Sequence, residues 1–259
     1  MITYQKKSST DIRKLRESAK HLSSVLGIVI EAVIPGVSTQ ELDVIAEREI
    51  RARGGIPIFK GYGSDWGKPF PASLGTSINQ EVVHGIPSKK RIIREGDLVK
   101  LDIGLRFEGM VSDMARTIAV GTVSPEASRL LSITRESLDR GIEKIRAGAH
   151  LSDYALAVQS HAESHGYSVV RDLVGHGVGY DLHEDPQVPN YFHTGLRDFV
   201  FVEGMTLALE PMINAGSFSV SIAPDGWTFV TKDGQLSAHF EDTIVVTKEG
   251  ADVVTRGSV

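Results

Sequence analysis

Leu98-Val-Lys-Leu-Asp-Ile-Gly104 and Met110-Val-Ser-Asp-Met-Ala-Arg-Thr-Ile-Ala-Val120 stand on either side of Glu108-Gly109. Apolar and β-branched residues dominate both runs and Glu-Gly supplies a turn, so the stretch predicts a β-hairpin. Such a hairpin brings Asp102 and Asp113 roughly opposite one another, with Cβ atoms ~5 Å apart on one face. Two unpaired carboxylates that close repel and raise one pKa. A pair of divalent cations between them removes the conflict. The alternative is a solvated hairpin face, or pairing with Lys100 and Arg116, the nearest bases.

Working outward, the apolar spacing predicts helices in consecutive pairs. Ser9, Thr10 and Asp11 read as capping residues for a first helix, whose Ile12, Leu15, Ala19, Leu22 and Leu26 keep helical spacing up to Pro35-Gly36. Ser38 with Glu41 forms a capping-box pattern before Leu42, Ile45, Ala46 and Ile50, and Gly54-Gly55 ends that helix. A Gly-rich loop with Trp66 follows from Gly61 to Lys68. Ser124-Pro125-Glu126 opens a third helix with apolar positions from Leu130 to Ile145, and a fourth spans about residues 152–165. Strands cluster around hairpins between the helix pairs, an α+β order and not the βαβα alternation of a Rossmann fold. The order of helix pair then strands occurs twice, which hints at a duplicated half. No linker interrupts the chain, so one domain over residues 1–259 is expected.

Composition narrows the function. Of 259 residues, 41% are hydrophobic, enough for a sizeable core, and the net charge of -5 leaves no basic footprint for nucleic acid or an anionic membrane. The short Lys89-Lys90-Arg91 run with Arg94 reads as a solvated turn. Without cysteine there are no disulfides, thiolate metal sites or cysteine nucleophiles. The N-terminus lacks the apolar core of a signal peptide, and no apolar run approaches the ~20 residues that span a bilayer. A soluble, cytoplasmic protein is expected.

Three more residues join the aspartates. Gly175-His176-Gly177-Val178-Gly179 sets a histidine among glycines, with His183-Glu184-Asp185-Pro186 close behind. A phosphate loop is the rival reading, but the lysine and spacing of a P-loop are missing. Glu210 ends the run Met205-Thr-Leu-Ala-Leu, and Glu241 sits within Ala238-His-Phe-Glu-Asp-Thr-Ile-Val-Val. A glutamate in such a run is almost never buried unless paired or ligating metal. Four carboxylates and one imidazole suit Mn, Fe(II), Co or Zn, and a two-metal centre can activate water and polarise a carbonyl.

The segments SINQEVVHGIP (77–87), LVKLDIG (98–104), GMVSDMARTIAVG (109–121), GHGVGYDLHEDPQVPN (175–190), MTLALEPM (205–212) and GQLSAHFEDTIVVT (234–247) occur in order. Over nearly its whole length the chain resembles the type I methionine aminopeptidases, of the pita-bread fold shared with prolidases and creatinase. The resemblance implies a pseudo-symmetric antiparallel sheet with paired helices on its outer face, in a single catalytic metallopeptidase domain. It implies two divalent ions, bridged by Asp113 and Glu241, with Asp102 on one and His176 and Glu210 on the other. Glu210 would be the general base, His183 would stabilise the tetrahedral intermediate, and His84 would position substrate near the leaving amide. Phe70, Leu182 and Trp227 fall where the family's methionine pocket is lined, and Tyr62 is a further candidate.

Three positions depart from the family pattern. Pocket cysteines common in bacterial relatives are absent, with Gly75 at one such position. His239 stands where glutamine is usual and prolidases carry arginine. Asp242 follows Glu241 in the prolidase manner. The implied activity is removal of the initiator methionine from nascent chains whose second residue is small; an Xaa-Pro aminopeptidase or prolidase-like peptidase is the alternative. A metal-free binding module is a third class, although such relatives usually lose ligands and all five remain here. The implied partners are nascent polypeptide N-termini, with ribosome contact open, no nucleic acid, no membrane, and a monomeric protein. Met1 precedes bulky Ile2, so the chain is expected to keep its own methionine.

Overall fold

The computed structural model describes residues 4–256; Met1, Ile2 and the Trp66 side chain lie outside the described residues. Helix α1 (Ser9–Glu31) is capped by Ser8, whose Oγ accepts the Asp11 N–H while the Asp11 carboxylate accepts the Ser8 N–H. The cap thus falls one residue before the predicted Ser9, because only then does Asp11 occupy the third helical position and reach back. Helix α2 (Thr39–Ala52) starts from the expected Ser38–Glu41 capping box. Helix α3 (Pro125–Ile142) has Ser124 as cap and Pro125 first, and Ile145 lies past its end. Helix α4 (Leu151–Ser164) begins just before the predicted Ser152, whose hydroxyl donates to Asp198.

The strands are β1 (Ile56–Pro57), β2 (Leu74–Ile78), β3 (Leu98–Phe107), β4 (Met110–Ala119), β5 (Ser168–Val169), β6 (Gly175–Gly177) and β7 (Glu184–Val188). They continue with β8 (Thr206–Leu209), β9 (Met212–Asn214), β10 (Val220–Ile222), β11 (Phe229–Thr231), β12 (Ser237–His239), β13 (Glu241–Val246) and β14 (Ala251–Val253). The main sheet runs β1-β3-β4-β13-β8-β6-β7, with β2 also on β3 and β14 on β13, and its paired strands are antiparallel. A smaller sheet has the order β12-β9-β5. The Ala238–Val246 run is therefore two strands: it breaks at Phe240, where the chain passes from the small sheet into the main one. The chain makes the reverse crossing at Glu210-Pro211, between β8 and β9.

Each helix pair backs one half of the main sheet. Leu22, Val25 and Leu26 of α1 and Leu42, Ala46 and Ile50 of α2 pack on Val99, Leu101, Ile103 and Leu105 of β3. Leu138 of α3 and Tyr154, Ala155 and Val158 of α4 pack on Leu207, Leu209, Ile244 and Val246. A fully buried leucine contributes about 1.5–3 kcal/mol, so these two seams hold the helices down. Strand side chains alternate between faces. With the odd positions of β3 against α1 and α2, Asp102 must look to the opposite side. No helix among the described residues is long and apolar enough to cross a membrane.

Candidate metal centre and substrate pocket

One register argument gathers all five predicted donors. Asp102 pairs with Ala115 of β4, and Ala115 pairs on its other side with Glu241 of β13. Asp242 pairs with Leu209, which puts Glu210 beside Glu241, and His176 pairs with Ala208. Residues two apart on a strand, or opposite across a ladder, share a face. Asp102, Asp113, Glu241, Glu210 and His176 therefore line the face that the helices leave uncovered. Ligand atoms of Asp113, His176 and Glu241 all lie within 4.8 Å of one another, and His176 Nε2 is 3.4 Å from Glu210 Oε1.

One expectation is corrected. Asp102 and Asp113 are diagonal, not opposite, because Asp113 pairs with Gly104. The turn sets this offset. Glu108 and Gly109 adopt φ of 48° and 85°, the left-handed conformation of a two-residue hairpin loop, so the ladder starts at Phe107–Met110.

Neither neighbouring base neutralises the aspartates. Lys100 Nζ donates to the carbonyls of Asn79 and Ser237. Arg116 pairs with Asp242 and donates to the Glu241 carbonyl. Burial accordingly pushes Asp102 up to about 7 and Glu210 up to about 8. Asp113 rises well above the usual carboxylate range through burial and then the charges of Asp102 and Glu210, and Glu241 does so through burial and its acidic neighbours. Asp102 Oδ1 and Asp113 Oδ1 are buried without a hydrogen-bond partner among the described residues. Buried, mutually repelling carboxylates with unsatisfied oxygens fit cation ligation.

The glycines around His176 follow from crowding. A Cβ on Gly175 would lie 2.5 Å from the Ala208 carbonyl, and one on Gly177 2.4 Å from that of Asp185. Strand β6 is pressed between its neighbours at both points. His176 Nδ1 lies 2.9 Å from the Gly177 carbonyl. A carbonyl can only accept, so Nδ1 carries the proton and Nε2 presents its lone pair to the acids. His183 Nδ1 engages the Tyr62 hydroxyl, and its ring is 4.3 Å from that of His176.

His84 reaches the same site from a strained loop, with φ of 58°. Gly85 next to it leaves no room for a side chain, since a Cβ would sit 2.1 Å from the Thr76 carbonyl. Arg91 supports this loop: it donates to the carbonyls of Thr76 and Ile86 and pairs with Glu81. The predicted solvated turn is thus corrected at Arg91, which buttresses His84, whereas Lys89 and Lys90 are exposed as expected.

The acids open into a cavity of about 70 Å³ that Phe70, Leu182, Trp227, Tyr62, Phe59 and Gly75 also help to line. Phe70 and Trp227 meet edge to face with centroids 5.4 Å apart. Phe59 is a wall that sequence reasoning missed. Its signal was steric: a Cβ on Gly104 would lie 2.8 Å from the Phe59 ring. The two departures near Glu241 separate by face. His239 is buried, with Nε2 3.6 Å from Glu210 Oε2. Asp242 points behind the sheet, where it pairs with Arg116 and Arg256 and accepts from Thr255.

A curled antiparallel sheet backed by two helix pairs, with acids and one imidazole on its open face, is the frame of a pita-bread metallopeptidase. Metallopeptidase family M24 matches residues 13–248, and the chain belongs to that family of hydrolases. The methionine aminopeptidase of Clostridium acetobutylicum is 45% identical over 249 residues, 96% of this chain and 97% of that one. The crystal structure of methionine aminopeptidase from Thermotoga maritima superposes with a TM-score of 0.92 at 39% identity, covering 98% of this chain and 99% of that one. The Xaa-Pro dipeptidase of Bacillus anthracis stands further off, with a TM-score of 0.76 at 25% identity, 97% of this chain covering 62% of that one.

Proposed function

We propose that residues 1–259 form one catalytic unit that removes the initiator methionine from nascent chains in the cytoplasm, with Asp102, Asp113, His176, Glu210 and Glu241 holding two divalent ions. The observation that carries this reading is the shared face: five donors converge beside an aromatic cavity. When bound, the ions supply an activated water and an electrophile for the scissile carbonyl. Glu210, a carboxylate on the shared face beside His176, is the group suited to take and return the proton of that water. His183, with Nδ1 on Tyr62, offers Nε2 to the oxygen that gains charge, and His84 positions the peptide beyond the scissile bond. Phe70, Trp227, Leu182 and Phe59 receive the methionine side chain.

The test compares Met-Ala-Ser with Met-Phe-Ser after loading with Mn or Co. Methionine release is expected from the first and not the second. No release from Met-Ala-Ser with any of the four candidate metals would sink the proposal. The Glu241-Asp242 motif gives the Xaa-Pro alternative no support, because Asp242 faces Arg116 and Arg256 and not the cavity.

A further inference from the structure

His239 is 1% exposed, and neither ring nitrogen has a hydrogen-bond partner among the described residues. An unsatisfied buried polar group is costly, so an idle imidazole here needs a physical reason. Its backbone is held firmly. The His239 N–H donates to Thr117 Oγ1, whose hydroxyl donates back to the His239 carbonyl, and Lys100 ties down the Ser237 carbonyl two residues earlier. The ring is thus fixed in place, with Nε2 3.6 Å from Glu210 Oε2. That is only a few tenths of an ångström beyond hydrogen-bond range. The other oxygen of the same carboxylate, Oε1, faces His176 Nε2 at 3.4 Å.

Glu210 therefore lies between two imidazoles of different standing. His176 has its Nδ1 proton committed to the Gly177 carbonyl and can offer Glu210 no hydrogen bond, only a neighbouring lone pair. His239 has both nitrogens uncommitted. We infer that His239 is a positioning residue of the metal centre: its Nε2–H holds Glu210 Oε2, so that Oε1 is presented as a ligand beside His176 Nε2. This rests on the metal-centre reading above and deepens it. His239 touches neither the substrate cavity nor the reacting atoms; it acts through Glu210. The ion shared by His176 and Glu210 should depend on it most, and the ion on Asp102, a carboxylate whose charge also acts on the His239 ring, should depend on it less.

The experiment is calorimetric titration of the metal-free full chain with Mn(II), resolving two binding steps, on wild type, His239→Leu and His239→Gln. The visible spectrum of Co(II)-loaded protein and the Tm of the metal-free form are recorded for each. Leucine removes the donor; glutamine keeps an N–H on a side chain of similar reach. In His239→Leu one step should weaken ~10–100-fold, the range typical when a ligand's supporting partner is removed. The other step should weaken less, the metal-free Tm should not fall, and His239→Gln should recover the lost step to within a few-fold. Unchanged binding in His239→Leu would overturn the inference, as would equal losses in both variants, which would make ring shape and not donation the cause. If His239→Leu does not fold, His239→Met serves as the donor-free variant. A wild-type chain that binds no Mn(II) or Co(II) would sink the metal centre itself, and this inference with it.

Discussion

At Glu210 two demands oppose each other. The chain buries a carboxylate between His176 and His239, which in the metal-free protein lifts its pKa to about 8, whereas a metal ligand and base must be ionised. Glu210→Gln should lower turnover of Met-Ala-Ser ~10²–10⁴-fold, while the Tm of the metal-free protein stays level or rises, because a neutral amide replaces a buried acid. Steady-state kinetics and calorimetry on one preparation would show both; unchanged turnover would remove Glu210 from the role of base. Gly177 poses a backbone problem. Its missing Cβ would meet the Asp185 carbonyl at 2.4 Å, so Gly177→Ala forces β6 from β7 and moves His176 with it. Overpacking of this kind costs about 1–3 kcal/mol, and urea denaturation should show that loss together with weaker Mn(II) binding.

At the scale of elements, β13 works on both faces. Glu241 serves the centre, while Asp242, its side chain fully buried, holds Arg116 and Arg256 behind the sheet. Arg116 also donates to the Glu241 carbonyl, so the pair clamps the strand that carries Glu241 and ties Arg256 to it. Asp242→Ala strips Arg116 of its carboxylate partner and leaves Arg256 with Asp139 alone. The expected destabilisation is ~3–5 kcal/mol, measured by urea unfolding; a loss below 1 kcal/mol would mean that solvent screens the arginines. Helix α2 offers a milder contrast, since Ser38→Ala removes one capping oxygen and should cost about 1 kcal/mol.

For the molecule as a whole, the centre makes stability depend on pH and metal. Carboxylates whose folded pKa is raised stabilise the fold while protonated, and lose that contribution as pH rises through the folded value. Asp102 at about 7, Glu210 at about 8, and Asp113 and Glu241, both lifted well above the usual carboxylate range by burial and by the charge of neighbouring acids, therefore weaken the metal-free fold as pH rises. The imidazoles of His84, His176, His183 and His239, depressed to about 3 or 4 by burial, act oppositely, but only below their ordinary value of 6.5. Lys100, depressed by burial to about 7, opposes with one proton against several. The clear window is pH 6.5 to 8. There the Tm of the metal-free protein should fall, whereas bound divalent ions should flatten or reverse the slope. A metal-free Tm that rises across this window would contradict the buried acid cluster.

The chain by itself determined its helices, its hairpin and the candidate donors, because caps, periodicity and turn residues act over a few positions. Ser38–Glu41, Ser124-Pro125 and Glu108-Gly109 did what their local chemistry dictates. Even the convergence of Asp102, Asp113, His176, Glu210 and Glu241 was legible, since a buried acid in an apolar strand demands a partner. Tertiary structure decided what depends on register and on which face a residue takes. It split Ala238–Val246 at Phe240, and turned Asp242 away from the cavity while leaving His239 beside Glu210. It also brought Phe59 into the pocket and Arg91 under His84. Each of these outcomes is a distance between residues far apart in sequence, fixed by packing that no local pattern encodes.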